Sequence, residues 1–585
     1  MKSCNARHRH PKSSRHLERV AAVFVLCAFA DGVAAAPPEP FTVVESSIPA
    51  MQQAMREARV TSRELVLQSL TRIATWEDRL HAAITVNPNA LAEADALDRE
   101  RKAGRVRGPL HGIPIAVKDN IQTTDMPTTG GALAFDGWIP PYEATLVKNL
   151  REAGAVILAK TQMTELANWV AASPGPMPNN YNAVNGYGFN PYDPRRDPRE
   201  ATFDGRPALN AGGSSSGAGS AASFWAASVG TETSGSILSP ASQSMLAAIK
   251  PTVGRISRHG VIPITADQDT PGPMARSVTD AAILLGVLEG KNSDPEDAAT
   301  KRCAPPSGND YTPYLSRDGL KGARIGIPRA YFYDKAPVPG SDKPKGGLNA
   351  EQAKAMTDAI EMLRKEGAVL VDPADVPSIV DKDEKSSFLA WGVCTDMDEL
   401  KEKKCSVVLA YGMGRDFDAW LLSLGAKAPV KSLKSLREWN VAHQKAGAIK
   451  YGQSLLDFSD AVDADTFKSR YESDRARDLF LTTTHGIDEV MKAKKLDALL
   501  FPGPSGASLA ARPGYPTVIV PFGMVPNAPP TPFPEGFAAK PSPYGVSFTG
   551  TACSEPTLIR LAYAFEQATH RRVPPPSTSG PVGPR

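Results

Sequence analysis

The sequence lacks the residue groupings that build several familiar kinds of site. Its six cysteines include no Cys-x-x-Cys pair, and its nine histidines are scattered, with no His-Glu-x-x-His. Neither common zinc spacing is present, so no metal site and no cofactor are expected. An excess of one charge is missing too: 66 basic against 63 acidic residues leave +3. Without a clustered basic face, neither nucleic acid nor an anionic membrane is an expected partner. The apolar run Val20 to Ala30 is well short of the ~20 residues a spanning helix needs, so no stable membrane anchor is expected. No Ser-x-x-Lys tetrapeptide occurs, which argues against a penicillin-recognising serine enzyme.

What is present begins with a leader. Six basic residues (Lys2, Arg7, Arg9, Lys12, Arg15, Arg19) precede that apolar run, and small residues follow at Ala34, Ala35 and Ala36. This pattern reads as a secretory signal peptide over residues 1–35, and therefore as an exported protein, periplasmic or extracellular. The leader carries the basic excess, so the chain after it is near −1. Four cysteines remain, Cys303, Cys394, Cys405 and Cys553, and an oxidising compartment permits three full pairings. Cys394 with Cys405 closes a short loop and is the favoured pair.

Along the rest of the chain, helix and strand signals alternate. Thr61-Ser-Arg-Glu64 has the form of a capping box, with Val66, Leu70 and Ile73 following at helical spacing. Glu143 to Glu152, Gly154 and Ala155 to Ala159 read as helix, stop and buried strand; Glu351 to Glu366, Gly367 and Ala368 to Val371 repeat the order. Ala498 to Phe501 and Thr517 to Val520 read as further core strands. The pattern points to an α/β fold with strands between helical layers, although length alone suggests three or four domains. Residues 173–207 read as a polar surface addition, and 335–350 and 380–475 as a charged, mostly helical outer layer or lid. A Pro-rich tail, 573–585, is expected to be disordered.

Three segments carry candidate chemistry. Gly112-Ile-Pro-Ile-Ala-Val-Lys-Asp119 puts Lys118 at the end of an apolar stretch. Gly212-Gly-Ser-Ser-Ser-Gly217 is a glycine-serine loop leading into small residues. Val229-Gly-Thr-Glu-Thr-Ser-Gly-Ser-Ile237 sets Ser236 behind a flexible glycine, on a backbone able to aim several N–H groups at one point. Together and in this order they resemble the amidase signature enzymes, in the branch that includes peptide amidases. The likeness extends through Ala159 to Glu165, Ile249 to Arg255, Asp269 to Met274 and Leu561 to Glu566. It implies one large α/β domain, about residues 36–572, with a mixed central sheet covered by helices on both sides. It also implies hydrolysis of a carboxamide C–N bond, with Ser236 as acylated nucleophile, Ser214 as proton relay and Lys118 as base. Backbone N–H groups of Thr233, Ser234, Gly235 and Ser236 would hold the oxyanion.

The chemistry suits those roles. A serine hydroxyl needs a neighbouring base, and a lysine serves as one only when neutral, which burial favours. The 22-residue separation of Ser214 from Ser236 is two shorter than the usual family spacing, leaving Ser215 and Ser216 as alternative relays. A Ser-His-Asp hydrolase is the nearest rival, but Leu238 stands where the elbow's second glycine belongs, and His259, His443 and His485 read as structural. The remaining rivals are a tRNA-linked amidotransferase subunit, a broad serine esterase and a catalytically inactive binding protein of the same fold. The expected substrate is a small-molecule or peptide amide, with Met177, Tyr181, Tyr187 and Phe189 as candidate lining of its pocket. The oligomeric state is not legible.

Overall fold

Neighbouring residues of the short apolar runs are buried against different partners. Ile115 and Val117 join one apolar cluster and Ala116 another; Ala247 and Ile249 separate from Ala248, and Val518 and Val520 from Ile519, in the same way. That is the two-residue period of a strand covered on both faces. The computed structural model describes residues 41–200, 204–213, 217–402 and 405–580. The expected leader, Ser214 with Ser215 and Ser216, and residues 581–585 lie outside the described residues.

Eleven strands form the central sheet: β1 (Ala83–Val86), β2 (Pro114–Lys118), β3 (Val156–Thr161), β4 (Ala227–Glu232), β5 (Ala247–Lys250), β6 (Thr270–Ala275), β7 (Arg324–Gly326), β8 (Val369–Val371), β9 (Ala498–Pro502), β10 (Thr517–Val525) and β11 (Ser542–Thr549). Their spatial order is β1-β3-β2-β4-β6-β5-β10-β11-β9-β7-β8. β2 runs parallel to β3 and β4, whereas β10 is antiparallel to β5 and β11, so the sheet is mixed. Helices Thr145–Glu152, Val278–Glu289, Ala350–Lys365 and Glu555–Thr569 contribute to the large cluster on one face. Ser62–Leu80 and Ala90–Lys102, then Gly217–Ala221 and Leu238–Gln243, supply the clusters on the other. The larger cluster runs from Val43 to Phe565, so the several domains suggested by length give way to one. The capping box forms as expected: the Thr61 hydroxyl accepts from Glu64 N, and the Glu64 carboxylate accepts from Thr61 N at 2.7 Å.

An outer layer has its own apolar cluster. Helices Val408–Ser423, Leu433–Ala442 and Ser454–Ala461 pack there over residues 132–189, with Phe135, Trp169, Phe417 and Trp420 in the interior.

Three expectations are corrected. Of residues 173–207, the described ones (173–200 and 204–207) are folded in rather than added on the surface, because their polar side chains bond internally: Asn182 Nδ2 donates to Met163 O, and Asn190 Nδ2 to Asn210 O and Gln243 O. Residues 335–350 contain a short hairpin, Lys335–Ala336 against Lys345–Gly346, instead of a helix; the left-handed Gly346 and Gly347 and three prolines break helical continuity. The tail is not disordered over its described part: Tyr192 and Ser577 hydroxyls donate to Val573 O and Pro191 O, and Thr578 is buried. Among the described residues two disulfides are formed, the favoured Cys394–Cys405 and, with it, Cys303–Cys553.

Candidate active site

Every residue of β2 is buried, and its last, Lys118, is carried by the strand into the interior with no exposed surface. β4 lies parallel beside it, so Thr231 reaches the amine. Lys118 Nζ donates to the Thr231 hydroxyl at 2.8 Å and to its carbonyl at 3.2 Å. Asn120 Nδ2 donates to the same hydroxyl at 3.1 Å. Removal from water disfavours the charged form. Burial therefore pulls the Lys118 amine down from 10.5 to about 7, against the opposing pull of Asp269 and Glu232.

Two other lysines are equally buried, and their surroundings differ. Lys160 Nζ faces Asp119 at 3.3 Å, an opposite charge that works against the downward pull of burial on its pKa. Lys250 Nζ donates to Tyr515 O at 2.6 Å.

Beyond β4 the chain turns through Thr233, Ser234 and a left-handed Gly235 (φ 84°) to Ser236, which is partly exposed ahead of helix Leu238–Gln243. Two buried carboxylates fix this turn. Glu232 accepts from Ile237 N at 2.8 Å and Leu238 N at 3.0 Å, supplying the acceptor that a helix start otherwise lacks. Asp269 accepts from the Thr233 hydroxyl at 2.5 Å and from Ile264 N and Thr265 N at 2.8 and 2.9 Å; burial pushes its carboxyl up to about 6. Among the described residues, none of the N–H groups of Thr233, Ser234, Gly235 and Ser236 has a hydrogen-bond acceptor.

The glycine-serine loop abuts this turn. A Cβ placed on Gly213 would lie 3.2 Å from Ser236 Cα and 3.7 Å from its Oγ, and one on Gly212 only 2.3 Å from Pro240 Cα. Glycine is required at 212 for a second reason, its φ of 92°. Ser214, the expected relay, lies outside the described residues, directly after this contact.

Tyr181 and Tyr187, candidate pocket residues, form a buried cluster with Tyr451, and the Tyr187 hydroxyl donates to Asp204 at 2.9 Å. Met177 is buried in the outer layer, and Phe189 packs edge-on against His81. The structure thus gives these four packing contacts and brings none of them against Ser236 by a hydrogen bond or ring contact. The histidines sit elsewhere: His259 stacks on Tyr142, His443 on Trp439, and His485 bonds Asp381.

Sequence reasoning missed Thr231, Asn120, Glu232 and the side chain of Asp269 as parts of this site. No local capping rule singles out Glu232, which stands five residues before the N-cap Ile237 and reaches Ile237 N and Leu238 N only because the chain turns back through Gly235. The Asp269 contact spans 36 residues and needs the fold.

The family model described as Amidase matches residues 64–559. A probable amidase of Arabidopsis thaliana is 34% identical over 545 residues, 92% of each chain. The solved peptide amidase of Stenotrophomonas maltophilia is 34% identical, with a TM-score of 0.75 over 91% of this chain and 98% of that one. A glutamyl-tRNA(Gln) amidotransferase chain of Chloroflexus aurantiacus is 38% identical, but over 56% of this chain and 60% of its own.

Proposed function

The chain belongs to the amidase family, hydrolases of amide C–N bonds, and from that membership we propose that it acts through a Ser236 acyl-enzyme with Ser214 as relay and Lys118 as base. The observation that carries this reading is the buried Lys118 amine, drawn down to about 7 and bonded to Thr231, five residues ahead of Ser236. Near neutral pH a large share of such an amine is unprotonated and able to accept a proton.

In the forward step Ser236 Oγ bonds to the amide carbon while its proton passes to the Ser214 hydroxyl, whose own proton goes to Lys118 Nζ. The negative charge on the carbonyl oxygen meets the N–H groups of residues 233–236. Removing one such donor commonly costs about 3 to 4 kcal/mol of barrier. Collapse breaks the C–N bond, and the proton returns along the same path to the departing amine. Water, deprotonated in its turn through the serine, then releases the acid.

Peptide amides and small carboxamides are the proposed substrates. The Gly-Thr-Glu-Thr-x-Gly-Ser form of the nucleophile turn and the likeness to a peptide amidase support them. Export is proposed as well; the leader pattern and the two disulfides support an oxidising compartment. The test is turnover of a peptide amide by Ser236→Ala, Lys118→Ala and the three single alanine variants at 214, 215 and 216. We expect the first two to lose at least a thousandfold in kcat, and 214 alone of the three to match them. Turnover by Ser236→Ala within tenfold of wild type refutes the nucleophile.

A further inference from the structure

The short helix Gly217–Ala221 begins three residues after Ser214 and ends in a turn whose carbonyls have an unusual set of partners. Arg276 Nη1 donates to Ser220 O at 2.9 Å. Arg572 Nη2 donates to Ala221 O at 3.4 Å. Arg72 donates twice to Ala222 O, from Nε at 3.0 Å and Nη2 at 2.7 Å. Three successive carbonyls at the negative end of a helix therefore each meet a different guanidinium, a favourable placement for cations.

Two of the three clamps are completed by the C-terminal segment. Arg72 spends its remaining reach on tail carbonyls, Nη2 to Thr578 O at 2.6 Å and Nη1 to Gly580 O at 3.0 Å. The Arg72 side chain is almost wholly buried, and desolvation pulls it down to about 10, so these carbonyls are part of its solvation. Arg572, at the head of the segment, pairs bidentately with Glu45 at 2.8 Å and also donates to Met245 O, just past the helix that follows Ser236. Tyr192 and Ser577 add bonds between the tail and the chain leading into the glycine-serine loop. Ala221, Ile237, Leu238, Ala241 and Met245 share one apolar cluster, so the helix Gly217–Ala221 and the segment that follows Ser236 rest on the same packing.

We propose that residues 573–580, with Arg72 and Arg572, form a strap that positions the helix Gly217–Ala221 and the segment that follows Ser236, and that removing the strap lowers the chemical step without weakening substrate binding. These are positioning residues; none is proposed to touch the substrate. The proposal rests on the Ser236 reading above. Displacement of reacting groups by about 1 Å costs on the order of a hundredfold in rate, so a folded but strapless chain should lose at least tenfold.

The test uses phosphonylation by a fluorophosphonate, which separates the limiting rate from the half-saturating concentration. A chain ending at Arg572 is compared with wild type, with a synthetic peptide of residues 573–585 added in trans. We expect a limiting rate at least tenfold lower, a half-saturating concentration within twofold, and recovery on adding the peptide. A folded truncated chain that reacts at the wild-type rate overturns the proposal, as does a loss the peptide fails to restore. Should the truncated chain not fold, Tyr192→Phe with Ser577→Ala removes two strap bonds from the full chain. A several-fold fall in limiting rate alone supports the strap, and an unchanged rate overturns it. Full-length Ser236→Ala serves as the separate control: labelling that persists there defeats the Ser236 reading, independently of any difference the strap makes.

Discussion

Replacing Lys118 with methionine should make the protein more stable while abolishing its activity. Methionine is unbranched like lysine, only one atom shorter, and places an apolar group in a fully buried site. In the native state the amine sits near 7, against 10.5 in water. At pH 7 the unfolded chain thus gains a proton that half the native molecules lack, and the wild type gives up about 4 kcal/mol in discharging the amine. The two bonds to Thr231 offset this by about 1 kcal/mol each. Thr231 keeps Asn120 as partner after the substitution. The net gain for Lys118→Met is about 2 kcal/mol at pH 7. The sign of its pH dependence follows from proton counting. Between about 7 and 10.5 the unfolded wild type binds more protons than the native state, so wild-type stability rises with pH across that window and the advantage of the variant shrinks. By about pH 9.5 the discharge cost is only about 1 kcal/mol, and the variant should have lost its lead. Urea denaturation of both proteins at the two pH values, disulfides intact, measures this directly. A variant less stable than wild type at pH 7, with a difference independent of pH, means a charged lysine in the native state and refutes the reasoning.

Three further outcomes are expected. The profile of kcat/KM for a peptide amide should rise with pH through about 7 as Lys118 loses its proton; a profile flat from pH 5 to 9 contradicts the assignment of the base. Glu232→Ala should lower stability by about 2 to 4 kcal/mol, since Ile237 N and Leu238 N lose their acceptor inside the protein, and should also reduce kcat; thermal unfolding and turnover of the variant check both. Opening Cys303–Cys553 by serine substitution should cost about 5 kcal/mol and opening Cys394–Cys405 about 3, because the first spans 250 residues and the second 11; an equal effect on urea midpoints contradicts that order.

Several features were legible in the sequence for identifiable physical reasons. The capping box at Thr61 is a local pattern, and so are the short apolar runs that became β2, β3, β9 and β10. Motif order pointed to the amidase signature fold, because spacing along a chain survives where pairwise contacts are invisible. What escaped was non-local or compensated. Residues 173–207 look too polar for an interior, yet Asn182 and Asn190 find backbone acceptors there that only the folded chain supplies. The tail has the composition of a disordered segment, and what holds it is Arg72, 506 residues away from Thr578. Thr231 was passed over although it stands inside the quoted motif, because nothing in sequence distinguishes a hydroxyl bonded to a buried amine from one exposed to water.

The most direct measurement is peptide mass spectrometry of the full chain after a fluorophosphonate, at pH 6 and pH 8. With an unprotonated amine driving a serine nucleophile, the added mass should fall on Ser236 alone, form markedly faster at pH 8, and be absent from Lys118→Ala on the same timescale. Labelling of a different residue, or of Ser236 at the same rate without Lys118, would contradict the proposed chemistry.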